Sequence, residues 1–161
     1  MQTTSSRTRA MAQPTSRVAS QRQAIYREAF AHINEAITAG FYLEAITLVE
    51  SLISDRLESR TSYISGSDFS FKTLEKLIQK LEKDDPDAEL RSLVTERLRV
   101  WKDLRNTALH ELAKIADGDT RSWADRTAPL RRTATAGLAL LRAIDKRVKS
   151  LRRHASSESL R

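Results

Sequence analysis

The stretch Arg105-Asn106-Thr107-Ala108-Leu109-His110 gathers the side chains of this 161-residue chain that are best suited to chemistry. An imidazole changes charge near neutral pH, so it can give or take a proton there. A guanidinium forks onto two oxygens of a carboxylate or a phosphate. Asn106 and His110 come within reach of each other if the segment is helical. Other chemistries are poorly served. The chain has 0 cysteines, which excludes disulfides and thiolate metal sites. Besides His110 it has only His32 and His154, and no His/Asp/Glu group at metal-ligand spacing, so no metal is expected. Gly-rich phosphate loops and Gly-x-Ser-x-Gly are also absent, and no cofactor is expected.

The elements that must position these residues are helices. Glycine is scarce, aromatic residues are few, and Ala, Leu, Glu, Lys and Arg are abundant. A first helix is predicted over 18–39, with Ile25, Ala29, Ile33 and Ala36 on its apolar face and Gly40 as its cap. A second is predicted over 41–59, with the seam Leu43, Ile46, Val49, Ile53 and Leu57. The serine-rich stretch 61–70 reads as a loop. A third, short helix carries Phe71, Leu74, Leu77, Ile78 and Leu81. Pro86 suits the first turn of a fourth helix with Asp85 as its N-cap. That helix spans 87–115, with Leu90, Val94, Leu98, Trp101, Leu104, Ala108, Leu112 and Ile115 along one side. A fifth starts near Thr120, bends at Pro129 and carries Leu130, Ala134, Leu138, Leu141, Ile144, Val148 and Leu151. The expectation is an all-α, up-and-down bundle of about five helices. A disordered basic tail over 1–17 precedes a domain over 18–152, and a flexible tail over 153–161 follows it.

Polar residues that interrupt the apolar stripes sharpen the picture. On a wheel of the fourth helix with Leu90 as origin, Arg105 falls at about 60°, beside the core stripe. Arg99, Asn106 and His110 fall at about 160° to 200°, on the far side. On the second helix Glu50 sits among Ile46, Ile53 and Leu57. An unpaired carboxylate there would be costly, and an arginine is its natural partner. Glu50 is therefore expected to meet Arg105 and fix its direction. Arg56 on the same helix is a second basic candidate near the site.

The net charge of +7 is unevenly spread. Residues 1–23 contribute +4, residues 146–161 contribute +5, and the stretch between, with 18 bases and 20 acids, contributes −2. Basic ends can lend salt-sensitive affinity for nucleic acid, although solubility alone would also explain them. No apolar run approaches the roughly 20 residues of a membrane span. A signal-peptide core is lacking, and the Arg- and Ser-rich start is open to reading as a transit peptide or a plain tail. The absence of cysteine fits a reducing, cytoplasmic setting.

At Leu104-Arg105-Asn106-Thr107-Ala108-Leu109-His110-Glu111 the chain resembles the HEPN superfamily (higher eukaryotes and prokaryotes nucleotide-binding domains). Its mark is an arginine, four to six residues, then a histidine, often with a polar residue after the arginine. Tyr42-Leu43-Glu44-Ala45-Ile46, Glu50-Ser51-Leu52-Ile53 and Thr73-Leu74-Glu75-Lys76-Leu77-Ile78 also look right, so the resemblance covers about 24–150. It implies a metal-independent endoribonuclease that uses the RNA 2′-hydroxyl as nucleophile, in a toxin–antitoxin or phage-defence role. Arg105 and His110 would be catalytic, with Asn106 holding the imidazole or touching phosphate. The implied partners are RNA, a second copy of the chain in a homodimer, and an antitoxin or other regulatory protein, with no membrane. Relatives paired with a minimal nucleotidyltransferase often carry a tyrosine two residues after the histidine. Here that position is Leu112, which argues against that route of control. The competing readings are a HEPN-like binding or assembly module without catalysis, and an unrelated helical adaptor whose basic tails bind nucleic acid.

Overall fold

The structure, a computed structural model, describes residues 16–158. The elements are α1 (Ser16–Ala39), α2 (Tyr42–Ser65), α3 (Leu74–Asp84), α4 (Ala88–Ser92), a π-helical segment (Leu93–Leu98), α5 (Arg99–Ala113) and α6 (Trp123–Glu158). Because α4, the π segment and α5 follow one another without a break, the described residues form an all-α bundle of five rods. α2 and α6 make the longest contact; α1 and α3 lie on α2, and α5 lies on α6. One continuous core joins Ile33 of α1, Ile46, Ile53 and Leu57 of α2, Leu77 of α3 and Leu141 of α6.

Most of the expected seams are buried, and the exceptions have local causes. Ile25 is exposed because the buried face of α1 is centred on Tyr26, Ile33 and Ala36, with Phe30 and Ile37 beside them. Leu43 stands at the start of α2 and is exposed. Phe71 precedes α3, with φ 57°, and is exposed while its N–H donates to Glu58 at 3.0 Å. α2 runs beyond the expected end and consumes the first half of the serine-rich stretch. Thr61 and Ser62 are buried, Ser62 Oγ accepts from Phe69 N–H at 2.9 Å, and Gly66 (φ 62°) ends the helix. Gly40 has φ 85°, the left-handed conformation that a capping glycine adopts without a Cβ penalty. Toward the other end, α6 continues through Glu158, so part of the stretch read as a flexible tail is helical. Of the expected tail over 1–17, residues 16 and 17 open α1, and the rest, like residues 159–161, lies outside the described residues.

The corner between α3 and α4 is capped differently from the expectation. Asp87, not Asp85, is the N-cap, accepting from Leu90 N–H at 2.8 Å. Asp85 is buried beneath the corner, where Arg60 holds it at two points, 2.7 and 2.8 Å. A buried carboxylate needs such a partner, and a two-point guanidinium contact supplies it.

The π segment explains the main displaced residues on the fourth rod. A π turn closes with i→i+5 bonds and so holds more residues than an α turn, which rotates every later side chain relative to an unbroken α wheel. Beyond it the buried stripe is formed by Trp101 and Ala108, with Leu109 and Leu112 packed alongside. Leu104 leaves the core and is 56 % exposed. Ile115 lies past the end of α5 and is 81 % exposed. Trp101 is seated deeply against α6: its Nε1–H donates to Thr133 O at 2.9 Å. A Cβ at Gly137 would stand 2.7 Å from that nitrogen, so only glycine lets the two helices come this close.

Candidate functional site

α5 carries the candidate residues, and α2 supplies their support. Arg105 Nη1 donates to Glu50 Oε2 at 2.6 Å, with 17 % and 28 % of the two side chains exposed. This is the contact expected from the sequence. Glu50 stands at the edge of the buried seam of Ile46, Val49 and Ile53, and its carboxylate gives the Arg105 guanidinium a fixed partner. Arg105 Nε is buried without a hydrogen-bond partner, so the brace engages one edge of the group only.

Asn106 and His110 are exposed on the side of α5 turned away from the core. Among the described residues, no hydrogen bond joins His110 to Asn106 or to Arg105. Within α5 His110 points about 140° away from Arg105 around the helix, which keeps those two apart, while Asn106 lies one turn before His110 on the same outward face. The sequence reading of a braced arginine and an outward histidine therefore describes the geometry. Leu112 is half-buried against the core.

Two residues expected nearby are employed elsewhere. Arg56 is 4 % exposed and faces α1 and α6. Its guanidinium carbon lies 3.7 Å from the centre of the Tyr26 ring, and its Nε lies 2.6 Å from Asp145 Oδ1, an ion-pair contact outside good hydrogen-bond geometry. Six helical residues turn a side chain through about 240°, which takes Arg56 off the face that Glu50 presents to α5. It is a structural arginine and not a supporting member of the site. Arg99, expected on the outward stripe with His110, is turned by the π segment toward α3, where its Nη2 donates to Glu82 at 2.7 Å.

Sequence reasoning missed the carboxylates of α3 that dress the same rod. Lys102, mostly buried, donates to Glu75, and that hydrogen bond holds the Glu75 carboxyl below its ordinary range. The repeat of Glu75 and Glu82 on one face of α3 was a signal that could have found this. A second missed group is Tyr26, whose hydroxyl donates to Asp55; burial, then that carboxylate, push the phenol well above its ordinary value. His32 sits on α1, where its ring nitrogen lies 2.7 Å from Glu44, and that bond raises its pKa.

Among the described residues, no group of three or more His, Cys, Asp or Glu could hold a metal ion. No helix of the described chain is long and apolar enough to cross a membrane. The chain matches no family model, no curated protein and no solved structure.

Proposed function

We propose that the protein is a metal-independent endoribonuclease of HEPN type that works as a homodimer. One observation carries the reading: Arg105 is held by Glu50 at 2.6 Å, while His110 stands exposed on the same helix. A held arginine can neutralise the charge that grows on the phosphate oxygens as the 2′-oxygen attacks phosphorus. A free imidazole can take the proton of the 2′-hydroxyl or give one to the departing 5′-oxygen. In an in-line displacement the attacking 2′-oxygen and the departing 5′-oxygen lie on opposite sides of phosphorus, so one imidazole does not reach both, and two copies meeting across this face of α5 would supply a base and an acid. Asn106, beside His110, would steady the second imidazole or a phosphate. A toxin–antitoxin or phage-defence setting, with a regulatory protein partner, is the role the resemblance suggests, and a cytoplasmic location goes with it.

The deciding experiment compares wild type with Arg105→Ala and His110→Ala. Wild type should cleave total RNA with a chelator present, and each variant should lose at least a hundredfold in rate, the usual scale for a proton-transfer or charge-stabilising group. Equal cleavage by all three proteins removes the reading, and so does a strict metal requirement. Light scattering should give twice the chain mass of 18.2 kDa. A second reading, a helical module that binds without cleaving, is favoured by one feature: no hydrogen bond from the described residues orients the His110 ring. Wild type that binds RNA but leaves it whole selects that reading.

A further inference from the structure

The solvent side of α6 is a row of cations. From 126 to 157 the chain carries nine Arg or Lys residues and a single carboxylate, Asp145. Three of the nine lie off the row and bind neighbouring residues: Arg126 with Asp119 at 2.9 Å, Arg147 with Asp87 and Glu89, and Arg152 with Ser59. The other six, Arg131, Arg132, Arg142, Lys146, Lys149 and Arg153, are all exposed. On the wheel they share an arc of about 100°, opposite the seam of Leu130, Ala134, Leu141 and Val148. Lys149 also meets Asp145 at 2.7 Å, and Arg142 reaches Asn34 at 3.5 Å. The side chains of Arg131, Arg132, Lys146 and Arg153 have no ion-pair or hydrogen-bond partner among the described residues. From Arg131 to Arg153 the row is about 33 Å long, at about 1.5 Å per residue.

Such a row works against the helix, because Arg142 and Lys146, like Lys149 and Arg153, are like charges one turn apart. Its neighbours narrow what it could serve. Thr135, Ala136 and Ala139 lie between the cations, and the exposed large apolar side chain of α6 is Trp123, at the helix start. Nothing along the row could sink into a bilayer, and no aromatic ring there could stack on an unpaired base. What remains is contact with regularly spaced phosphates. The position also matters. Trp101 bonded to Thr133, and Arg126 bonded to Lys114 O at 2.9 Å, set α5 and α6 side by side in opposite directions. Arg131 and Arg132 therefore stand at the height of the Arg105–His110 segment on α5.

We infer that this row is a docking track for the phosphate backbone of an RNA stem, which lies along α6 and ends beside the α5 segment. The choice of RNA among polyanions rests on the ribonuclease reading above.

The test uses the full chain carrying His110→Ala, so that binding is read without cleavage. A fluorescein-labelled stem-loop RNA is titrated at several salt concentrations and followed by anisotropy. Adding Arg131→Gln, Arg132→Gln, Arg142→Gln and Lys146→Gln should weaken binding at least tenfold near 100 mM salt, and should flatten the slope of log affinity against log salt by about three, at about 0.7 to 0.9 per lost contact. The pair Arg142→Gln and Lys146→Gln alone should produce about half of that change in slope. Circular dichroism should show the variants at least as stable as the parent, since like charges are removed. Unchanged affinity and slope overturn the track. Binding to phosphatidylserine vesicles without binding to the RNA also overturns it, as does binding to a matched DNA duplex in place of the RNA. Loss of RNA binding in the neutralised protein, together with a wild type that never cleaves, keeps the track and removes the ribonuclease. Cleavage by wild type with binding untouched by neutralisation does the reverse.

Discussion

Arg105 depends on Glu50 for its direction more than for its charge. The pair is partly exposed, so its net worth to folding is on the order of 1 kcal/mol or less. Its geometric effect is larger, because a guanidinium released from Oε2 sweeps a cone wider than the spacing a phosphate would tolerate. Glu50→Gln keeps the shape and removes the charge. The variant should melt within a few degrees of wild type, consistent with a change of about 1 kcal/mol or less. RNA cleavage should fall about tenfold or more, in the manner of a positioning residue, with the loss in kcat and not in KM. Equal kcat in the two proteins would show that the brace plays no part in positioning. The same residue-scale reasoning separates Arg56 from the site. Arg56 is buried between Tyr26 and Asp145, so its removal would report on the packing and charge balance of that cluster.

Among the elements, the short corner between α3 and α4 does more than turn the chain. Asp85 is clamped by Arg60 of α2, and Asp87 is clamped by Arg147 of α6, so the corner ties both long helices to the start of the fourth rod. The Arg147 hydrogen bond holds the Asp87 carboxyl below its ordinary range, with the Leu90 backbone N–H adding to the effect. A carboxyl with a lowered folded pKa contributes stability that is fully present above the unfolded value of 3.8 and is lost as pH falls through the folded value. Asp87→Asn keeps a side chain able to cap Leu90 but removes the charge facing Arg147. At pH 7 the variant should be less stable than wild type by about 1 kcal/mol. The gap should close as pH drops below the ordinary aspartate range, when wild type also becomes neutral there. Urea titrations across pH 7 to pH 2 check this, and a gap that stays constant would assign the loss to the cap instead of the ion pair.

At the scale of the whole molecule, one continuous core makes the bundle a single cooperative unit. Among the described residues, every rod contributes to a single apolar cluster. The two tryptophans report on different places: Trp101 is 3 % exposed between α5 and α6, and Trp123 is 68 % exposed at the start of α6. Trp123→Phe leaves the buried one as the sole reporter. Its fluorescence and the far-ultraviolet circular dichroism should then give one midpoint on heating, as all-or-none unfolding requires. An earlier fluorescence midpoint would mean that α5 and its candidate residues detach from α6 before the bundle melts.

Much of this protein is legible in its sequence because helices write their faces at a fixed period. Leu77 and Ile78 on α3, and Leu130 through Val148 on α6, are buried where the spacing places them. Glu50 could be matched to Arg105 because a carboxylate inside an apolar seam has few tolerable partners. Such reasoning holds wherever one helix keeps one period and one residue satisfies one need. Tertiary structure decided the rest. The π segment breaks the period between Leu93 and Leu98, so Leu104 leaves the core and Arg99 turns to α3. Asp87 takes the cap role expected of Asp85, while Arg60 and Arg147, distant in sequence, hold Asp85 and Asp87 in turn. The opposition of the cations on α6 to its seam follows from the sequence, but their standing beside the height of Arg105 and His110 does not. That depends on how closely Gly137 lets Trp101 approach, a distance that no single helix can specify.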